Sequence, residues 1–225
     1  MYGGSSHAFA EYVSANADNL AFKPANLTYE QAASVSTAGL TALQGLRDAG
    51  KIQPGQQVLI NGAAGGVGTF AVQIAKAFEA EVTGVCRTGN VDMVRSIGAD
   101  HVVDYTQEDF CRDGPRYDLI LDNVGSRSFS DLRRALTPNG LIIPNTGHAG
   151  MGYVIKAFAL AAFTRQVGRM YLTSVNNKDL VVLKEMIEAG KIRPVIDRTY
   201  PFSEIPAALG YVGEGHARGK VVITV

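Results

Sequence analysis

Residues Gly62 to Gly68 read Gly-Ala-Ala-Gly-Gly-Val-Gly, and within them Ala63, Gly65 and Gly68 keep the A-x-G-x-x-G spacing of a turn that cradles a pyrophosphate. The chemistry sets the residue types. Gly65 lets the backbone approach phosphate oxygens, Gly68 lets a helix pack on the preceding strand, and the helix start offers free N–H groups at the positive end of its dipole. Ala63 stands where such a turn usually carries its first glycine. The apolar run Gln57 to Asn61 lies before the turn, and Val67, Phe70, Ala71, Ile74, Ala75 and Phe78 recur behind it at helical spacing. That context favours a nucleotide site over a tight turn with no ligand.

Sites that prefer NAD place an Asp or Glu roughly 20 residues further on, at the end of the second strand, to bond the ribose hydroxyls. This chain has Val85-Cys86-Arg87-Thr88 there, with Glu81 at the opposite end of the same run. The planar fork of Arg87 suits a 2′-phosphate, so NADPH is favoured over NADH. Competing chemistries find less support. A Tyr-x-x-x-Lys pair is absent, since Lys156 follows Tyr153 by three residues. A methyltransferase wants the same missing acid for its ribose, and no G-x-S-x-G elbow occurs. Cys86 and Cys111 are too far apart for a CxxC pair and the four histidines form no cluster of zinc-ligand spacing, so no metal site is expected.

Composition describes the scaffold that must hold these residues. The chain has 225 residues, 46% of them hydrophobic and 19% charged, enough for a sizeable core. Lys plus Arg and Asp plus Glu are 21 each, which argues against a general nucleic-acid or acidic-membrane partner. Glycine is 25 of 225, above the roughly 7% that is usual, so tight turns or close approaches are expected. Strands are predicted at Ala8 to Ala15, Gln57 to Asn61, Glu81 to Cys86, His101 to Asp104, Tyr117 to Asp122, Leu141 to Ile143 and Val221 to Val225. Helices are predicted after the capping box Thr28–Gln31 up to about Gly50, behind the glycine turn, over Val91 to Ile97, and on the stripe Phe129, Leu132, Leu136 stopped by Pro138 and Gly140. Two more fall on Leu180, Leu183, Ile187 and on Ile205, Ala208, Leu209, Val212, the latter begun at Ser203. Buried strands alternating with amphipathic helices imply an α/β fold with a doubly wound parallel sheet.

Gly39-Leu40-Thr41-Ala42, the stretch Gly62 to Gly68, Gly98-Ala99-Asp100 with Tyr105, Asp122-Asn123-Val124-Gly125 and the closing Gly219-Lys220-Val221-Val222 together resemble the medium-chain dehydrogenase/reductase superfamily. The match is best to its zinc-free, quinone-oxidoreductase-like branch, and it runs in order along essentially the whole chain. The resemblance implies a Rossmann domain over residues 36–191, with residues 1–35 and 192–225 as a partial, GroES-like β remnant of a catalytic domain. It further implies NADPH in the cleft between them. Thr41 would meet the nicotinamide carboxamide, Gly65, Gly66, Val67 and Gly68 the pyrophosphate, and Arg87 or Thr88 the 2′-phosphate. Tyr105 would lie beside the adenosine phosphate, Asn123, Val124 and Gly125 along the nicotinamide, and Thr146 and Gly147 close by. The larger N-terminal part of that catalytic domain, which lines the substrate pocket in the family, has no counterpart here.

The reaction so implied is hydride transfer from NADPH to a quinone, an enone or a similar carbonyl acceptor, with the cofactor carrying the hard chemistry. No general acid is assigned; Tyr153 and Lys220 carry dissociable protons, but a packed tyrosine and a solvated lysine are the better expectations. The alternative is a module that binds NADPH without turnover. The apolar stretch Met151 to Phe163 exceeds what one helix face requires, which favours a homodimer. It is too short to span a bilayer, and the N-terminus has no signal-peptide pattern, so a cytoplasmic setting is the expectation.

Overall fold

A computed structural model describes residues 1–4, 9–112, 116–145, 150–168 and 171–225. Short antiparallel strands β1 (Tyr2–Gly3) and β2 (Leu20–Ala21) pair at the start of the chain. Helix α1 (Tyr29–Ala33) opens on the expected capping box: Thr28 Oγ1 accepts from the Gln31 N–H at 3.2 Å and Gln31 Oε1 from the Thr28 N–H at 2.9 Å. Helix α2 (Ser36–Leu43) runs on as a wider π-helical stretch, Gln44–Ala49.

Strand and helix then alternate: β3 (Gln57–Asn61), α3 (Gly66–Ala77), β4 (Glu81–Cys86), α4 (Val91–Ser96), β5 (His101–Asp104), β6 (Tyr117–Asp122), α5 (Phe129–Arg134) and β7 (Leu136–Pro144). The five strands form one all-parallel sheet in the order β5-β4-β3-β6-β7. Because the chain winds outward from β3 to β5 and returns to lay β6 on the other side of β3, the order reverses between β3 and β6. A crevice opens at such a switch point, beyond the carboxyl ends of the strands. Period-two alternation sends the strand side chains to two covered faces. Val58, Ile60, Leu119 and Leu121 join a core with α2, α3 and α4, while Leu59, Ile120 and Ile142 join a second core with α5. The remaining elements are α6 (Gly150–Phe163), α7 (Asn177–Glu188), β8 (Ile196–Pro201), α8 (Ile205–Gly213) and β9 (Lys220–Thr224), with β8 and β9 paired in parallel.

The structure departs from two local expectations and adds a strand that was not expected. Ala8 lies outside the described residues, and residues 9–15 form no strand; Tyr12 is 91% exposed. Strand propensity expresses itself only where a neighbouring strand supplies hydrogen bonds, and no described strand pairs with this segment. The stripe through Leu136 is not all helix: α5 ends at Arg134 and Leu136 opens β7. There β6 advances two residues, Tyr117 to Leu119, while β7 advances five, Leu136 to Leu141, and the irregularity holds Pro138 and Gly140. Proline cannot donate to the ladder, and a Cβ on Gly140 would lie 2.6 Å from the Tyr117 carbonyl oxygen, so both residues break the strand's register, not the helix. Strand β8 was not anticipated, because Asp197 and Arg198 interrupt its apolar pattern.

Candidate functional site

The glycine turn sits at the switch-point crevice. Gly62 closes β3 at a positive φ of 77°, and its carbonyl accepts from the Gly65 N–H at 3.1 Å. Gly65 then caps α3 in an extended conformation. A Cβ on Gly68 would lie 2.0 Å from the Gly62 carbonyl oxygen, so the helix start rests on the strand end with no room for a side chain. At Gly65 the corresponding contact is an ordinary 3.5 Å. The C-terminal segment crosses in front of this turn. The Gly219 N–H donates to the Ala64 carbonyl at 2.9 Å, the Lys220 N–H to the Val195 carbonyl at 2.8 Å, and the Lys220 Nζ lies 3.6 Å from the place a Cβ would take on Gly66. Between them is a cleft of about 650 Å³, walled by Gly65, Gly66, Asn123 and Asn145 on one side and by Ala217 and Lys220 on the other.

Lys220 is partly buried, and its ammonium makes no hydrogen bond or ion pair among the described residues. Desolvation lowers its pKa. A partly buried, unpaired ammonium over the first turn of a helix that cannot carry side chains at Gly68 is an arrangement short of one thing, an anion. These residues therefore fit a pyrophosphate. Lys220 is thus not the solvated lysine expected from the sequence; the available signal was its position, directly after a glycine in a closing apolar strand.

On the β6 side, Asp122 is fully buried and its carboxylate organises the loop that follows. Oδ1 accepts from Asn61 Nδ2 at 2.8 Å and from the N–H groups of Val124 at 3.2 Å and Gly125 at 3.0 Å, and Oδ2 accepts from the Tyr153 hydroxyl at 2.7 Å. Asn123 Nδ2 donates to the Asn61 carbonyl at 3.0 Å, and Asn145 Nδ2 donates to Asn123 Oδ1 at 2.7 Å. The turn through Asn123, Val124 and Gly125 is thus pinned beside the glycine turn. The role of Asp122 follows from the register that pairs it with Asn61, which no local motif shows. Burial and the Asp122 carboxylate push the Tyr153 pKa up, and its proton is already donated, so Tyr153 is not poised as an acid towards the cleft.

At the end of β4, Arg87, Thr88 and Tyr105 come together, because β4 and β5 pair Cys86 with Asp104 and the Tyr105 N–H donates to the Cys86 carbonyl at 3.0 Å. An acid does stand here, although on the neighbouring strand. Asp104 is 8% exposed and its oxygens accept from Thr88 Oγ1 at 2.5 Å, Thr106 N–H at 3.0 Å, Thr106 Oγ1 at 2.7 Å and Gln107 Nε2 at 3.1 Å. The Thr88 hydroxyl is the first of the bonds that hold its carboxyl below the usual carboxylate range. A carboxylate has about four lone-pair positions, so this one is filled from within the protein and cannot also take a ribose hydroxyl. On the same loop the buried amide oxygen of Asn90 has no partner.

Thr41 stands apart from this cleft. Its hydroxyl donates to the Thr37 carbonyl at 2.7 Å within α2 and meets Thr173 Oγ1 at 2.9 Å, and it is not among the cleft's walls. Thr146 and Gly147 lie outside the described residues. Among the described residues no three His, Cys, Asp or Glu side chains converge as metal ligands would, and no helix is long and apolar enough to cross a membrane.

Comparison with known proteins agrees with this arrangement. Residues 97–223 match the model of a family described as zinc-binding dehydrogenase. The chain is 38% identical over 240 residues to the human NAD(P)H oxidoreductase RTN4IP1, mitochondrial, covering 96% of this chain and 61% of that protein. It is 32% identical to an NADPH-dependent alkenal/one oxidoreductase, chloroplastic, of Arabidopsis thaliana, covering 96% of this chain and 52% of the relative. The chain thus spans between half and two thirds of these relatives' lengths. Among solved structures, the quinone oxidoreductase from Coxiella burnetii superposes with a TM-score of 0.81 at 31% identity, over 94% of this chain and 65% of that one. A parallel sheet wound about a glycine-rich turn, a family match over more than half the chain and these likenesses agree: the chain belongs to the zinc-binding dehydrogenase family of the medium-chain dehydrogenase/reductase superfamily, in its quinone-oxidoreductase-like branch.

Proposed function

We propose that this chain binds NADPH and serves an oxidoreductase that delivers hydride to a quinone, an enone or a similar carbonyl acceptor. The observation that carries the reading is the unpaired Lys220 ammonium set over the start of α3. Residues 36–191 form the cofactor half in this reading, and residues 1–35 and 192–225 belong to a catalytic portion that closes on it. The bound nicotinamide supplies the hydride chemistry. The chain's own residues bind and orient. Gly65 to Gly68 and Lys220 take the pyrophosphate, Arg87 takes the 2′-phosphate, and the turn Asn123 to Gly125, fixed by Asp122, presents a rigid edge to the nicotinamide. Preorganisation of that kind is how a protein raises the rate of a step whose chemistry the cofactor owns. The acceptor class rests on the names of the relatives, an alkenal/one oxidoreductase and a quinone oxidoreductase.

A titration of the purified chain, followed by nucleotide fluorescence, tests this. Saturable binding of NADPH, on the order of tenfold or more tighter than NADH, is expected, a charge-assisted contact to phosphate being worth that much. A folded chain that binds neither nucleotide would sink the proposal.

Assembly as a homodimer is part of the same reading. On α6, Ile155, Phe158 and Phe163 are exposed, the last at 89%, and an apolar face of that kind favours association. Light scattering at micromolar concentration is expected to give twice the monomer mass; a monomer mass overturns it.

A further inference from the structure

The geometry at the end of β4 assigns a second cation to the cofactor. Resting on the NADPH reading above, we propose that Arg218, from the C-terminal segment, recognises the adenosine 2′-phosphate together with Arg87, and that Thr88 serves as a positioning residue and not as a phosphate ligand.

A phosphate dianion offers acceptors only, so whatever reads it must donate. Thr88 and Thr106 each own one hydroxyl proton, and each donates it to Asp104, at 2.5 and 2.7 Å. Their mutual contact at 3.2 Å therefore has no spare proton, and both hydroxyls present lone pairs. While Asp104 is ionised, this corner of the loop repels a phosphate instead of binding it. Donors have to come from the guanidinium groups nearby.

Arg87 precedes Thr88 directly, and it makes no ion pair among the described residues. The second guanidinium comes from the far end of the chain. A Cβ placed on Gly89 would lie 3.7 Å from Arg218 Nη2, so the Arg218 fork rests over the bare backbone just past Thr88. Its backbone is fixed on both sides. The Arg218 N–H donates to Asp197 Oδ2 at 3.0 Å, and the next residue, Gly219, is tied to Ala64 of the glycine turn. Arg218 itself is exposed and its side chain forms no ion pair among the described residues. A charged fork lying over a loop without neutralising its charge on any carboxylate is available to a phosphate in bidentate fashion. Lys220, two residues on, stands over Gly66, so one short segment brings a cation to each end of the nucleotide's phosphate path.

The test compares NADPH and NADH dissociation constants, by nucleotide fluorescence, for the wild type, Arg218→Ala, Arg218→Lys and Arg87→Ala. Arg218→Ala is expected to weaken NADPH on the order of tenfold while NADH stays within about twofold, since only NADPH carries the group. Arg218→Lys keeps the charge without the fork and should fall between. The Arg218 side chain is exposed and its main-chain bond to Asp197 is kept by every variant, so the fold should be retained, and an unchanged thermal midpoint checks that. If Arg218→Ala leaves the NADPH-to-NADH ratio within about twofold of wild type while Arg87→Ala collapses it, the role of Arg218 is overturned and the cofactor reading stands. If the wild type itself binds both nucleotides equally, the NADPH reading fails and this assignment falls with it.

Discussion

Replacing Gly68 by Ala is expected to lower stability by about 3 kcal/mol, the upper end of what forcing a methyl into a packed site costs, and to abolish measurable nucleotide binding. The new Cβ would have to occupy a point 2.0 Å from the Gly62 carbonyl oxygen and 2.8 Å from Ala63 backbone atoms. No flexible side chain can give way there. The first turn of α3 must lift off β3, which separates the helix start from Lys220 and opens the cleft. In a chain of this size about 3 kcal/mol corresponds to a fall of roughly 6–12 °C in thermal midpoint. Gly65→Ala is the informative partner. Its Cβ would meet the Gly62 oxygen at an ordinary 3.5 Å, and Gly65 has no positive φ, so the fold should keep its thermal midpoint. Nucleotide affinity should nonetheless drop, because the methyl stands where a pyrophosphate would approach. A Gly65→Ala protein that binds NADPH as well as wild type places the phosphates elsewhere.

That pair of glycines also marks how far the sequence could be read. The glycine turn, the strand before it and the helix after it were legible because each requirement is local: a periodic stripe, a bare residue, a short apolar run. The parallel sheet followed from the same alternation. What could not be read was set by pairing between distant segments. Asp104 sits beside Thr88 only because β4 and β5 align Cys86 with Asp104, so a search for an acid along the second strand alone missed it. Asp122 gains its role from its register with Asn61. The segment 9–15 has strand composition and no strand, since propensity without a partner strand has nothing to bond. Pro138 and Gly140 were read as a helix stop when they mark a break in a strand, because the same residues interrupt both periodicities. Lys220 and Arg218 were out of reach for a further reason: the segment that carries them lies more than 120 residues from the loops it covers.

Lys220→Met separates the contribution of charge from that of packing. The thioether keeps most of the volume against Gly66 and removes the ammonium. NADPH and NADH share the pyrophosphate, so their affinities should fall together, by roughly 10- to 150-fold for a contact to a charged group worth about 1.5–3 kcal/mol. This differs from Arg218→Ala, which is expected to change the ratio. Without nucleotide the variant should be at least as stable as wild type, since the ammonium it loses is partly buried and unpaired. The pH dependence gives an independent sign. Desolvation lowers the Lys220 pKa in the folded chain below its value of 10.5 in the unfolded one, so between those two values the unfolded state holds more protons. The stability cost is fully present below the folded pKa and is relieved as pH rises towards 10.5, so the wild type should gain on Lys220→Met across that interval in thermal unfolding. Nucleotide binding moves the other way: a pyrophosphate prefers the charged lysine, and wild-type affinity should weaken over the same interval while the variant's does not. Equal loss of both nucleotides with retained stability supports a pyrophosphate contact. Undiminished binding by Lys220→Met would show that the ammonium over Gly66 has another purpose, and would remove the observation on which the cofactor reading chiefly rests.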